Sequence, residues 1–262
     1  MRIMQRIYED YFKPSRLPDY KRILEAFRDA GYQMISILDL YNMVISGGIT
    51  GKVFINRHDI DTSPNVAREM FEIEKEIYGH EGSATYYFRD STIDKRLIRE
   101  IEDYGYETGY HYEELATFEK INKLKNVEKM RESLPKCRQM FIDDIMRFRE
   151  ITESSSLTVA SHGDFINTKY RIQNVEILRD IETREKAKIV VEAYDANVME
   201  CIEARYADQV LLSNFAEEVL KGIKEGNQVI MTLTHPRNWK VDVIANTKDN
   251  VRRYWQGIKY RH

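Results

Sequence analysis

Along the chain, short β-branched or aromatic runs alternate with segments whose apolar residues recur every third or fourth position. The first helical pattern spans Tyr20–Ala30. Ile23, Leu24 and Phe27 share one face and Gly31 stops it. The residues before it are aromatic and charged, carry Pro14 and Pro18, and read as an irregular arm. Tyr32–Ile45 holds a short strand and a helix ahead of a Gly47-Gly48 turn. Val53-Phe54-Ile55 reads as a short buried strand. Ser63 is placed as an N-cap with Pro64 at the first helical position, and the helix runs to Tyr78 before Gly79. Ala84–Phe88 is a strand ending at Arg89, Asp94–Tyr104 a helix stopped by Gly105, and Tyr106–Tyr112 a strand whose end carries His111. The charged, amphipathic stretch 117–150 predicts one or two helices around Pro135. Ser156–Ala160 is the next strand, and 165–186 is irregular to helical. Ala187–Tyr194 is a strand ending in Asp195, and Gln209–Ser213 is another. Phe215–Lys224 is a helix closed by Gly226, Gln228–Thr234 a strand, and Ile244–Tyr260 a closing helix.

Strand, helix, strand, helix, strand in that order demands a parallel sheet. The count of strands fits an incomplete barrel better than an open sheet. The expected organisation is one domain over 1–262, with an N-terminal extension (1–50), a core (51–240) and a C-terminal helix (241–262).

Composition narrows the function. Of 262 residues, 42% are hydrophobic, enough for a sizeable core, and 32% are charged, as exposed helices require. A net charge of −3 gives no bulk attraction to nucleic acid or anionic membranes. Cys137 and Cys201 form no metal-binding spacing and no disulfide framework. The N-terminus has no apolar signal region, and no run approaches the ~18 apolar residues that span a bilayer. These features predict a cytoplasmic protein.

The chemistry centres on Arg57-His58-Asp59-Ile60-Asp61, where an apolar run meets a charged cluster. Such a cluster belongs at a strand end facing a cleft. Two carboxylates two residues apart on an extended chain point the same way. They repel unless a cation, a proton or a hydrogen-bond network intervenes, and a metal ion is the simplest remedy. A turn with solvated charges is the alternative. His58, His111, His162 and His235 all close predicted strands, whereas His80 lies in a loop and His262 at the terminus. In a parallel barrel those strand ends converge on one mouth. His with Asp is the ligand set of zinc and similar metals.

At these residues the chain resembles the polysaccharide deacetylases, the NodB-homology fold of carbohydrate esterase family four. The resemblance covers roughly residues 50–240 and rests on three pieces: Arg57-His58-Asp59-Ile60-Asp61, Gly105-Tyr106-Glu107-Thr108-Gly109-Tyr110-His111, and Leu233-Thr234-His235. It implies an α/β fold, a deformed (β/α) barrel of about seven strands. It also implies hydrolytic removal of an acyl group, usually acetyl, from a sugar or sugar conjugate. By the same resemblance Asp59 is the general base, Asp61 and His111 are metal ligands, and His235 is the general acid. Asp195 would orient that His, and one divalent ion, zinc by type, would be bound. Arg89 and Trp239 are candidate substrate contacts. A cytoplasmic glycan intermediate suits a chain without a signal region.

The sequence departs from the pattern at Leu115, where a second His is usual. His162, Glu113, Glu114 or water could fill the place, with His162 preferred because a Ser-His-Gly strand end should face the same mouth. Arg57 or Arg89 could support the base in place of the family's usual Arg. The alternative reading is a deacetylase-like module that binds carbohydrate or protein without catalysis. Oligomeric state is not legible in the sequence.

Overall fold

The computed structural model of the chain describes residues 3–124, 126–209 and 214–259. Helices α1 (Ile3–Tyr11) and α2 (Leu17–Asp29) lead into β1 (Gln33–Ile35), α3 (Ile37–Ile45) and β2 (Val53–Ile60). Helix α4 (Pro64–Tyr78), β3 (Thr85–Phe88), α5 (Lys95–Asp103) and β4 (Glu107–Tyr112) follow. Three helices, α6 (Glu114–Asn122), α7 (Val127–Glu132) and α8 (Leu134–Thr152), precede β5 (Thr158–Ser161). Then come α9 (Phe165–Tyr170), α10 (Ile181–Ala187), β6 (Val191–Glu192), α11 (Ala196–Met199) and β7 (Ala204–Ala207). The chain ends with α12 (Phe215–Glu225), β8 (Val229–Thr234) and α13 (Val243–Lys259).

The strands make one 8-stranded parallel sheet in the order β6-β5-β4-β3-β2-β8-β7, with β1 beside the first half of β2. It curls into a deformed, incomplete (β/α) barrel, with β6 and β7 as its two edges. Alternation along each strand separates two apolar layers. Val53, Ile55, Tyr87, Ala160, Val191 and Met231 fill the inside of the curl. Phe54, Ile60, Tyr86, Phe88, Tyr110 and Ile230 face the surrounding helices. Gly109 is required at the inner face. A Cβ there would stand 2.5 Å from the Tyr87 ring and 2.6 Å from the Thr158 carbonyl.

Four expectations change. The N-terminal arm is helical: Asp10 in α1 accepts from Arg237 (2.7 Å) and Asn250 (2.9 Å), so tertiary contacts order it. Strand β2 runs through the charged cluster to Ile60 instead of stopping before it. The 117–150 stretch holds three helices. The strand predicted at 187–194 shrinks to Val191–Glu192, because Lys188 takes a left-handed turn (φ 52°) that ends α10. Residues 210–213 of the strand predicted at Gln209–Ser213 lie outside the described residues. The strand beside β8 is β7, Ala204–Ala207.

Among the described residues, no helix is long and apolar enough to cross a membrane.

Candidate active site

The same alternation builds the site. Arg57 and Asp59 occupy the inner positions of β2, and His58 points the opposite way. His58 lies buried against the helices, with Nδ1 2.6 Å from the Thr234 hydroxyl and Nε2 2.7 Å from Glu74. Its place at the motif therefore carries no site chemistry. Register carries the rest of the mouth. His111 pairs with Ala160, so the inner-facing His162 follows two residues on, just past the end of β5, where its N–H donates to the Tyr112 carbonyl at 2.8 Å. Asp61 lies just past β2, where its N–H donates to the Asp59 carbonyl at 3.0 Å. The chain then turns sharply through Ser63 (φ 62°, ψ 54°) into Pro64 of α4. Ser63 makes no side-chain cap, contrary to expectation.

Asp59, Asp61, His111, His162 and His235 line a cleft of about 640 Å³, with Arg89 in its wall. Arg57 grips Asp59 with a two-point fork, Nε to Oδ1 at 2.8 Å and Nη2 to Oδ2 at 2.9 Å. The guanidinium is fully buried and lies over the rings of Tyr194 (4.6 Å) and Tyr87 (5.3 Å). That pairing is why the strand tolerates charge in its interior. Burial pushes the Asp59 carboxyl up, but Arg57 and His111 outweigh it and hold its pKa below the usual value. Asp59 is therefore an ionised base at neutral pH.

Asp61 is held further down, well below the usual carboxylate range. Burial opposes the shift, and His162 and His111 drive it. Its Oδ1 is buried with no hydrogen-bond partner, 3.3 Å from His162 Nε2 and 3.5 Å from His111 Nε2. The His111 Nδ1–H donates to the Ala160 carbonyl at 2.9 Å, which leaves Nε2 with its lone pair toward the cleft. Burial pushes His111 down to about 4, against the pull of Asp59 and Asp61, so the ring is neutral. His162 Nδ1 lies 3.1 Å from Glu113. Burial disfavours its charge, but Asp61 raises it to about 9, so without an ion a proton on His162 balances Asp61, and a divalent ion would take that proton's place.

Oδ1 of Asp61 and ring nitrogens of His111 and His162 all lie within 4.8 Å of one another. Two ligands about 2.0–2.1 Å from a tetrahedral zinc ion sit roughly 3.3–3.4 Å apart, close to the spacing Asp61 shows to both rings. An orphaned carboxylate oxygen and two imidazoles fit one divalent ion with a position left open. Leu115 is fully buried in the helix layer. Glu114 is also buried there, with Oε1 accepting from Tyr110 at 2.6 Å. Glu113 is ion-paired with Arg89.

Two expected residues are elsewhere. Asp195 does not orient His235. It takes Arg184 in a two-point pair (2.7 and 2.5 Å) and caps the Glu192 N–H. The carboxylate on His235 is Asp208, which follows β7: Oδ1 lies 2.7 Å from Nδ1, and Oδ2 accepts from the His235 N–H at 2.8 Å. Burial alone would lower the His235 pKa, but Asp208 raises it to about 9. Trp239 is not a cleft wall. It is 1% exposed, edge-on to Tyr20 and Phe215, and its Nε1–H donates to Asp208 at 3.2 Å. Of the two arginines considered as support for Asp59, Arg57 holds it and Arg89 pairs with Glu113, and Asp208 is the residue that this site adds to the sequence-derived roles. The signal for Asp208 was a polar pair, Asp208-Gln209, closing a short run after Ala204.

No family model matches the chain, and no curated protein matches it in sequence. Solved structures similar to it include a CE4 family pseudoenzyme from Bacillus anthracis, at 12% identity and TM-score 0.39, covering 78% of this chain and 62% of that one. A mutant of that pseudoenzyme with restored enzymatic activity matches at 13% identity and TM-score 0.38, over 79% and 64%. The peptidoglycan deacetylase PdaC from Bacillus subtilis matches at 12% identity and TM-score 0.29, over 81% and 96%. The chain thus spans less than two thirds of the Bacillus anthracis chains it matches.

Proposed function

We propose that the cleft hydrolyses an acyl group, acetyl by type, from a sugar or sugar conjugate, with one divalent ion such as zinc held by Asp61, His111 and His162. The observation that carries this reading is the convergence of those three donors, one of them an orphaned buried oxygen, beside an ionised Asp59 and a protonated His235. When bound, such an ion supplies Lewis-acid polarisation of the acyl carbonyl and lowers the pKa of a water. Asp59, aimed by Arg57, takes the proton of the attacking water. His235, charged through Asp208, delivers a proton from Nε2 to the departing amine or alkoxide. The Gln209 side-chain amide lies 2.8 Å from that nitrogen; its oxygen is the end that accepts from a protonated Nε2, and it yields the place to the leaving group.

The test combines elemental analysis with acyl release. Native chain purified without chelator should carry about one transition ion per chain and release acetate from N- or O-acetylated sugars, the ratio expected of a three-ligand site. Asp61→Asn should lose both. A native chain that stays metal-free after zinc is added back would defeat the hydrolase reading and favour a carbohydrate-binding module.

The His235–Asp208 pair sets the alkaline limb of activity. A raised imidazole pKa keeps His235 protonated up to about pH 9, and a bound cation can only lower that limit. Asp208→Asn removes the charge that raises it, so the limb of kcat/KM should move down by about 1–2 pH units. A limb that stays in place would show that another group is the acid.

A further inference from the structure

The cleft holds more cations than hydrolysis of a neutral sugar requires. Arg89, Lys120, Arg252 and Arg253 all line it. Lys120 pairs with Asp164. Arg89 is 5% exposed and bonds Glu113 through Nη2, yet its buried Nε has no hydrogen-bond partner. The Nε of Arg252 is buried and unpartnered as well.

Around α13 the balance is uneven. Asp249 alone serves three guanidiniums: Arg252 at 2.7 Å, Arg237 at 2.8 Å and Arg253 at 2.6 Å. Arg237 also reaches Asp10 at 2.7 Å, and Arg6 lies 3.4 Å from the same carboxylate. The nearby Glu9 is taken by Lys13 at 2.6 Å. Four guanidiniums therefore meet two carboxylates, and the surplus sits partly buried beside the mouth. Arg253 lies within electrostatic reach of Asp61, on the side of the cleft that holds His235. Packing like charges together out of water is costly unless an anion arrives to share them. Guanidinium forks with unused N–H groups match phosphate oxygens.

We infer that the acylated substrate is phosphorylated, and that Arg252 and Arg253 seat its phosphoryl group while the acyl group lies at Asp59 and Asp61. This rests on the hydrolase reading for the identity of the sugar, but the cation cluster stands independently of it. The source is a sugar 1-phosphate or a nucleoside-diphosphate sugar, both of which present the same oxygens.

Calorimetry would compare N-acetylglucosamine, its 1-phosphate and its uridine diphosphate conjugate on the native chain, with and without chelator, and on Arg252→Ala and Arg253→Gln. Arg253 is the more exposed of the two, so its replacement should leave the fold intact, and a melting curve checks both variants. The phosphorylated sugars should bind at least about 10-fold tighter than the neutral sugar at low salt. The advantage should shrink with added salt, fall several-fold in each variant, and recover in part in Arg252→Lys. Tighter binding of the diphosphate conjugate would mark the nucleotide source, and tighter binding of the monophosphate the simpler one. Equal affinity for all three ligands would overturn the inference. So would a preference that chelator abolishes and both arginine variants keep, since the phosphate would then be held by the metal. Failure of the hydrolase reading would show separately, as no acetate released while the phosphate preference persists.

Discussion

If Asp61, His111 and His162 hold a divalent ion as proposed, His162→Ala should lower the affinity for it by at least about 100-fold. Changes to groups that merely orient metal ligands cost about 10–100-fold, and loss of a ligand should cost no less. Among the described residues, those around Leu115 are otherwise engaged. Leu115 is buried in the helix layer, Glu114 bonds Tyr110 there, and Glu113 is engaged by Arg89. His162 is also the group that balances Asp61 electrostatically, so its removal leaves that carboxylate with His111 as its remaining close imidazole. Competition with a calibrated chelator would give the affinity directly. An unchanged value would move the third ligand to Glu113 or Asp164, which lie close to His162 in a second cluster of possible donors.

The second large effect is expected at Asp59. Asp59→Asn should lower kcat by about 10²–10⁴-fold while the metal content stays at the native level, because an amide cannot take the proton of the attacking water. The variant will also be less stable. Removing the charge of one partner of a buried ion pair typically costs about 3–5 kcal/mol, here by leaving Arg57 with one amide oxygen in place of a two-point carboxylate fork. Assays well below the melting temperature, with the folded fraction measured alongside, separate the two losses. If the metal leaves with Asp59→Asn, then Asp59 is a ligand and the base lies elsewhere. His111 Nε2 is 3.4 Å from Asp59 Oδ2, close enough that the distinction must be made by measurement.

The sequence by itself determined the parallel α/β architecture, because alternating strand and helix periods admit few other arrangements. It also placed Asp59, Asp61, His111, His162 and His235 at one mouth, because polar residues closing parallel strands share one end of the sheet. Local pattern could not say where β2 ends. A run of charges looks like a strand terminus until the fork from Arg57 to Asp59, made inside the curl, shows how the charges are neutralised. The resemblance also pointed to the wrong partner for His235, since Asp208 reaches it across the β7–β8 register, 27 residues away in the chain, while Asp195 is held at the other edge of the sheet by Arg184. Trp239 was undecided for the same reason: an aromatic ring suits a cleft wall or a core, and only its contacts with Tyr20, Phe215 and Asp208 fix it in the core. Periodicity reports which face a residue occupies, whereas its partner is set by neighbouring strands that the chain supplies from far away in sequence.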